Sequence, residues 1–328
     1  MRKGCLRVLM AIFSIAGPAH LVAQQATGQV PRIGYLAFGS RTGTTAPYTE
    51  AFRQGLRELN YVEGKNLNVE YRFADGKIER LPELVEELVR LKIDILVVNS
   101  AVVTHAAKKS NITLPIVVAS MGDYRGLVSS FARPGGNVTG LTHISGELVG
   151  QRLELLKEIV PKVSRIALLS SADATMAKSM FNDAQGAAKA FGVSFQLVEI
   201  KVQNPDIEGV FRLLAKERVG ALITEASGPI ALHRKRILEL VEKNRLPAMH
   251  SEQEWPNAGG LMSYGANRVE LYRRAAVYVH KILGGAKPAD LPVEAPMKFE
   301  FIANLNAAKH IGLTIPPNVL VRADRVIR

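Results

Sequence analysis

Six short stretches of the 328-residue chain concentrate the side chains able to hold or transform a small molecule: 38–45 (FGSRTGTT), 99–101 (NSA), 120–124 (SMGDY), 170–175 (SSADAT), 224–228 (TEASG) and 263–266 (SYGA). Each lies at the carboxyl end of an expected strand, where open parallel sheets hold their ligands. Their Ser, Thr, Asn and Gly content suits short hydrogen bonds from hydroxyls and backbone N–H groups. Several precede a helix, whose unpaired N–H groups and positive dipole end attract a carboxylate. An amine on the same ligand would go to Asp123 or Glu225. The candidate ligand-binding residues are Ser40, Arg41, Tyr48, Asn99, Ser100, Ser120, Asp123, Tyr124, Ser171, Thr175, Glu225 and Tyr264. Each has a plainer reading. Ser40, Ser100, Ser120 and Ser171 serve equally well as helix N-caps, and Asp123 would cap a short helix over 124–132. Tyr48, Tyr124 and Tyr264 suit either stacking on a flat ligand or lining a lobe surface. Arg41 reads as an anion clamp or a solvated loop residue, and Trp255, beside Pro256, as packing.

Bond-breaking chemistry is not indicated. The seven His residues show no HExxH or HxH spacing, so a metal site has no support. No GxSxG elbow occurs, no GxGxxG opens a helix, and GGNVTG lacks the Lys-Ser/Thr of a phosphate loop. No catalytic residue, metal or cofactor is expected.

The chain begins with a leader. Arg2, Lys3 and Arg7 precede an apolar run over 8–16, Pro18 breaks it, and Ala23 supplies a small residue before Gln24. Residues 1–23 therefore read as a secretory signal peptide, too short in its apolar run to span a bilayer. The single cysteine, Cys5, sits before that run and is not placed for lipidation. A mature chain without cysteine excludes disulfides and thiolate chemistry, and points to export into a bacterial periplasm. The formal charge of +12 loses three cations with the leader, 12 − 3 = +9. Basic residues interleave with acids, as in ERLPELVEELVRLK, which describes solvated helix faces and gives no nucleic-acid footprint.

After the leader, short apolar strands alternate with helical periodicity: strands over 32–38, 67–73, 94–98 and 115–119, helices over 48–59 and 80–91. Continuous apolar strands between helices describe a parallel sheet covered on both faces. The second half repeats the grammar. LVRLKIDILVV (88–98) matches LAKERVGALIT (214–224), TLPIVV (113–118) matches RLPAMH (245–250), and GGNVTGLT (135–142) matches GGLMSYG (259–265). The offsets agree: 133 from Ile33 to Ile166, 126 from Asp94 to Gly220, 132 from Pro115 to Pro247. Two similar lobes in tandem follow. The expected division is a signal peptide at 1–23, an N-lobe over 30–143 completed by part of 267–305, and a C-lobe over 144–266 completed by part of the tail 306–328. The segment over 115–160 is where the chain would leave one lobe for the other. Repeated crossing would make a hinge.

Longer phrases then resemble a known family. AFRQGLRELNYVEGKNLNVEYRFADG (51–76), RLPELVEELVRLKIDILVV (80–98), ARPGGNVTGLT (132–142), GGLMSYGANRVELYRRAAVYVHKILGGAKPADLPVE (259–294) and NAAKHIGLTIPP (306–317) resemble the ABC transporter substrate-binding proteins, over essentially the whole mature chain. The better-described members of that family take up tryptophan and related aromatic amino acids. The resemblance implies a type I periplasmic-binding fold, with two Rossmann-like α/β lobes, three crossovers and a ligand enclosed by hinge closure. Two cleft loops depart from the family pattern. Gly122-Asp123-Tyr124-Arg125 replaces a Gly-Asp-Pro stretch, and Asn99-Ser100-Ala101 replaces Gly-Thr-Pro-Ala. The expectation is a periplasmic solute receptor of an ABC importer, acting as a monomer with an inner-membrane permease as partner. Its first-choice ligand is an amino acid, aromatic or branched. A ligand sensor for a signalling membrane protein is the alternative, and a secreted α/β enzyme a weaker one.

Overall fold

The hexapeptide RIGYLA at 32–37 is buried along nearly its whole length, as a strand covered on both faces must be. The computed structural model describes residues 30–43, 45–122, 124–143, 148–172, 177–201, 204–225, 227–296 and 298–328. The leader over 1–23 and the candidates Asp123 and Thr175 lie outside the described residues.

In the N-lobe the elements are β1 (Arg32–Ala37), α1 (Ala46–Glu58), β2 (Asn68–Phe73), α2 (Leu81–Arg90), β3 (Ile95–Val98), α3 (Ala101–Lys109), β4 (Ile116–Met121) and β5 (Val138–Thr142). Their sheet runs β2-β1-β3-β4-β5, parallel throughout. The C-lobe follows with α4 (Val149–Ile159), β6 (Arg165–Ser171), α5 (Ala177–Ala190), β7 (Ser194–Ile200), α6 (Ile207–Lys216), β8 (Ala221–Thr224), α7 (Gly228–Leu232), α8 (Arg234–Lys243), β9 (Ala248–His250), α9 (Glu254–Asn257) and β10 (Met262–Ala266). The remaining elements are α10 (Arg268–Leu283), β11 (Phe299–Asn304), α11 (Leu305–His310), α12 (Pro317–Leu320) and β12 (Arg325–Ile327).

The duplication read from the sequence is visible in the sheets. β7-β6-β8-β9-β10 repeats the order β2-β1-β3-β4-β5. Ile33 pairs with Ile95 in the first sheet, and their counterparts Ile166 and Ala221 pair in the second. Lys92 and Arg218, equivalent at the offset of 126, both adopt left-handed backbone at φ +55° where a helix hands over to a strand. The second sheet then grows beyond the repeat: β11 pairs antiparallel with β10, and β12 parallel with β11.

The chain passes between the lobes after β5, after β10 and between Glu294 and β11. After the second passage α10 packs on α1 and contributes Leu271, Tyr272, Ala275 and Val279 to the core around Tyr35 and Phe52. The approach is close: a Cβ at Gly55 of α1 would collide with the Arg273 carbonyl and lie 2.9 Å from the Ala276 Cβ. Each large apolar side chain buried there contributes about 1.5–3 kcal/mol. On the opposite side of the first sheet α2 presents Leu81, Leu84, Val85 and Leu88, the i, i+3, i+4, i+7 stripe of a core-facing helix.

One local expectation fails. Residues 124–132 form no helix: Leu127 and Val128 N–H groups bond back to the Tyr124 carbonyl, and Gly126 at φ +72° turns the chain away. A left-handed residue so early stops helix propagation. Among the described residues no helix is long and apolar enough to cross a membrane, and no group of three or more metal-ligating side chains occurs.

Candidate ligand site

The carboxyl ends of both sheets face a shared cavity. From the N-lobe come Phe38 and Gly39 after β1, Thr45 and Tyr48 at the start of α1, and Asn99 and Ser100 after β3. The C-lobe supplies Ala231 and Leu232 from α7, Arg234 at the start of α8 and Glu252 after β9. Arg268 and Tyr272 enter from α10, directly after the second passage between lobes. The empty space is about 440 Å³ with its open mouth included, a scale that suits one small molecule and excludes a polymer.

Backbone hydrogen bonds fix the N-lobe wall. The Phe38 N–H donates to Asn99 Oδ1 at 3.0 Å, and the Tyr272 hydroxyl donates to the Asn99 carbonyl at 3.2 Å, so one residue ties β1, β3 and α10 together. Ser100 caps α3 through the Val103 N–H. The Thr45 hydroxyl donates to the Ser40 carbonyl and closes the loop before α1. Tyr48 stacks on Tyr272 with ring centres 4.7 Å apart and an interplanar angle of 17°, while the Arg268 guanidinium sits 4.9 Å from the Tyr48 ring centre. Burial pushes the Tyr48 hydroxyl well above its ordinary value, so it stays protonated at any physiological pH.

Charges gather on the C-lobe wall. Glu252, 2% exposed, forms an ion pair with Arg268 and lies 4.0 Å from the Arg234 guanidinium. Glu254 opens α9 close by, and burial pushes its carboxyl up. Trp255 is fully buried and stacks on His250 at 4.3 Å, with Arg234 over its ring at 5.5 Å. Several polar atoms of this wall are buried with no hydrogen-bond partner among the described residues: Tyr48 Oη, Arg234 Nε, Arg268 Nε, Glu254 Oε2 and Trp255 Nε1. Folded proteins rarely leave such atoms unmatched, and a cluster of them marks a place built for something else to bond.

Two further polar groups lie at other strand ends. The Ser120 hydroxyl and His143 Nδ1 are 3.1 Å apart, and burial, with Arg268 and Arg152 adding to it, pushes His143 down to about 3. Glu225 is hydrogen-bonded to the Ser170 hydroxyl; burial raises its carboxyl to about 7. Arg152 of α4, fully buried, donates from Nε to the Tyr264 carbonyl at 2.8 Å and so braces the strand that leads into α10.

The structure brings Tyr48, Asn99 and Ser100 to the cavity wall, with Ser40 supporting the loop behind them. Arg41 is exposed and lies beside Thr49, Glu50 and Arg53 on the outer surface. Ser120 bonds His143, and Tyr124 is a core residue whose hydroxyl donates to the Leu141 carbonyl at 2.7 Å. Ser171 and Glu225 are buried at the ends of β6 and β8, and the Ser171 hydroxyl has no partner among the described residues. Tyr264 packs on the C-lobe core near Phe299. Sequence reasoning missed Arg234, Glu252, Glu254, Arg268 and Tyr272. A signal existed for two of them: HSEQE at 250–254 follows a strand and carries two acids at its carboxyl end. For Arg268 the signal was a cation in the first turn of a helix, where the dipole disfavours it.

The profile describing ABC transporter substrate binding proteins matches residues 43–327. A tyrosine-binding protein of Clostridioides difficile is 22% identical over 268 residues, 80% of this chain and 76% of its own. Among solved structures, an ABC domain from Streptococcus pneumoniae in complex with L-Trp superposes with a TM-score of 0.84 at 24% identity, covering 91% of this chain and 100% of that one. A conserved domain protein from Vibrio cholerae gives 0.82 at 26% identity with the same coverage.

Proposed function

Since this chain belongs to the ABC transporter substrate-binding protein family, we propose that it is the periplasmic receptor of an importer for an amino acid, aromatic in first choice. The family is one of solute-binding proteins, whose members work outside the cytoplasm and hand a small molecule to a transporter. The finer reading adds export by the leader over 1–23, action as a monomer, and delivery to an inner-membrane permease. The observation that carries it is the inter-lobe cavity, where two arginines, two glutamates and a tyrosine hydroxyl from both lobes and the connecting helix meet with bonding capacity unused. A tyrosine-binding relative and a structural neighbour holding L-Trp support the choice of ligand.

The mechanism is a shift between open and closed forms. A molecule that touches Asn99 and Tyr48 on one side and Arg234 and Glu252 on the other makes all its contacts only when the lobes are together, so it stabilises that form. The solute leaves unchanged, since nothing here pairs a nucleophile with a base. A thermal-shift screen of amino acids, aromatic acids and sugars tests the reading. A ligand with Kd near about 1 µM at 100 µM stabilises by about 2.7 kcal/mol, a shift of about 2–4 °C for a chain of this size. Response to sugars alone, or to nothing in the screen, refutes the amino-acid assignment.

A further inference from the structure

The buried charges of the cavity describe more than affinity for an anion. Glu252 is already the anion that the arginines hold: it pairs with Arg268 and lies 4.0 Å from Arg234. A ligand that brought only a carboxylate to Arg268 would leave Glu252 in the interior without its partner. One that brought only an amine to Glu252 would strand Arg268. Uncompensated buried charge is among the most damaging arrangements a protein interior can hold. A head group with both signs avoids either outcome, because it exchanges one buried ion pair for two.

The unused bonding capacity has the same two-sided character. Arg234 Nε and Arg268 Nε are donors suited to a carboxylate, whereas Glu254 Oε2 is an acceptor suited to an ammonium, and the Tyr48 hydroxyl serves either. All are buried against the walls that Glu252 and Arg268 share. Arg268 adds a mechanical link, since it follows β10 at the passage between lobes and stacks on Tyr48 of the N-lobe.

Resting on the receptor reading above, we propose that Arg234, Arg268, Glu252 and Tyr48 recognise the joined ammonium and carboxylate of an α-amino acid by exchange of ion-pair partners, with Glu252 taking the ammonium. The α-amino group is then the feature the site discriminates, and acids lacking it are rejected.

Calorimetric titration of the full chain tests this with nine probes. L-tyrosine, L-tryptophan and L-leucine are each set beside the amine-free acid (desaminotyrosine, indolepropionate, isocaproate) and the carboxylate-free amine (tyramine, tryptamine, isopentylamine). The expected result is that at least one amino acid binds and that both trimmed analogues of it are weaker by about 100-fold or more, the discrimination typical of a site whose polar groups would be left unpaired. An amine-free acid within tenfold of its amino acid overturns the partner exchange and leaves the receptor reading standing. No binding by any of the nine overturns the ligand class itself. Glu252→Gln is expected to shrink the discrimination against the acid to less than tenfold, mainly through loss of the amino acid; undiminished discrimination in a folded E252Q chain overturns the role of Glu252. Should that variant fail to fold, Tyr48→Phe removes only a hydroxyl without a partner. It is expected to melt with the parent and to bind the amino acid about tenfold more weakly; unchanged affinity overturns the set of four residues.

Discussion

Leu232 of the C-lobe lies against Gly76 of the N-lobe, so that a Cβ at position 76 would meet its Cδ1 at 2.8 Å. The two residues sit on opposite lips of the cleft, and their contact belongs to the closed arrangement. Leu232 is 40% exposed, so its contribution to folding is small while its contribution to closure is direct. Leu232→Ala should weaken ligand binding about three- to tenfold, the value of a partly buried aliphatic contact present only in the closed form. Its urea midpoint should match that of the parent. Titration calorimetry beside chemical unfolding checks both; a lower midpoint with unchanged affinity would contradict this role.

A glycine pressed against neighbouring backbone recurs in both halves of the duplication. At Gly140 of β5 the backbone has φ +139° and a Cβ would collide with the Val118 carbonyl; at Gly265 of β10 a Cβ would collide with the Ser251 carbonyl. Neither obstacle is a side chain that can turn away. Gly140→Ala and Gly265→Ala should each cost about 3 kcal/mol or more, measured by urea unfolding, which is far beyond the typical surface substitution.

Glu225 makes stability depend on pH in an unusual direction. Its folded value near 7 lies above the ordinary 4.5, first through burial and then through Glu199, against the pull of Ser170. Between those values the folded chain holds a proton that the unfolded chain lacks, so this group's contribution falls as pH rises through the window and is constant above it. The full span is about 3 kcal/mol. Glu225→Gln should remove that dependence, visible as a difference between the two proteins' unfolding free energies that changes from pH 4.5 to 7 and is flat from 7.5 upward.

His143 and His250 act the other way. Burial holds both near 3, helped by Arg268 and Arg152 at His143 and by Arg234 at His250. With folded values below the ordinary 6.5, unfolding takes up two protons as pH falls below that point, and stability is lost on acidification. Glu225 releases one proton over part of the same range, so a net uptake near one is expected around pH 5.5. His143→Gln should flatten the acid slope and Glu225→Gln should steepen it. Unfolding free energies at half-unit steps from pH 4 to 7 decide the matter; parallel slopes in all three proteins would exclude it.

The lobes, their order and their repetition were legible because buried parallel strands leave continuous apolar runs, and a duplicated fold leaves the same runs at a fixed offset. Lys92 and Arg218 illustrate how far that went, since even an uncommon backbone conformation recurs at the offset. The site was legible in part. Asn99, Ser100 and Tyr48 follow strand ends of the N-lobe, where the rule about carboxyl ends applies directly. Tyr124 looked equivalent, but the turn at Gly126 folds its ring into the core. Arg268 and Tyr272 stand on a helix that follows the repeat, and no local pattern shows that this helix returns to the other lobe and lines its cavity. Long-range placement of that kind is decided by packing, which leaves no periodic trace in the sequence.

The return of α10 to α1 also dictates the order in which the molecule can be finished. The first sheet gains its cover of Tyr272, Ala276 and Val279 only after the whole second sheet's first five strands have been synthesised. A nascent or truncated chain ending before residue 268 presents the apolar face around Tyr35 and Phe52 to water, a surface that invites aggregation or chaperone capture. The lobe that is translated first is thus completed last, and cutting the gene between the repeats yields no independent half.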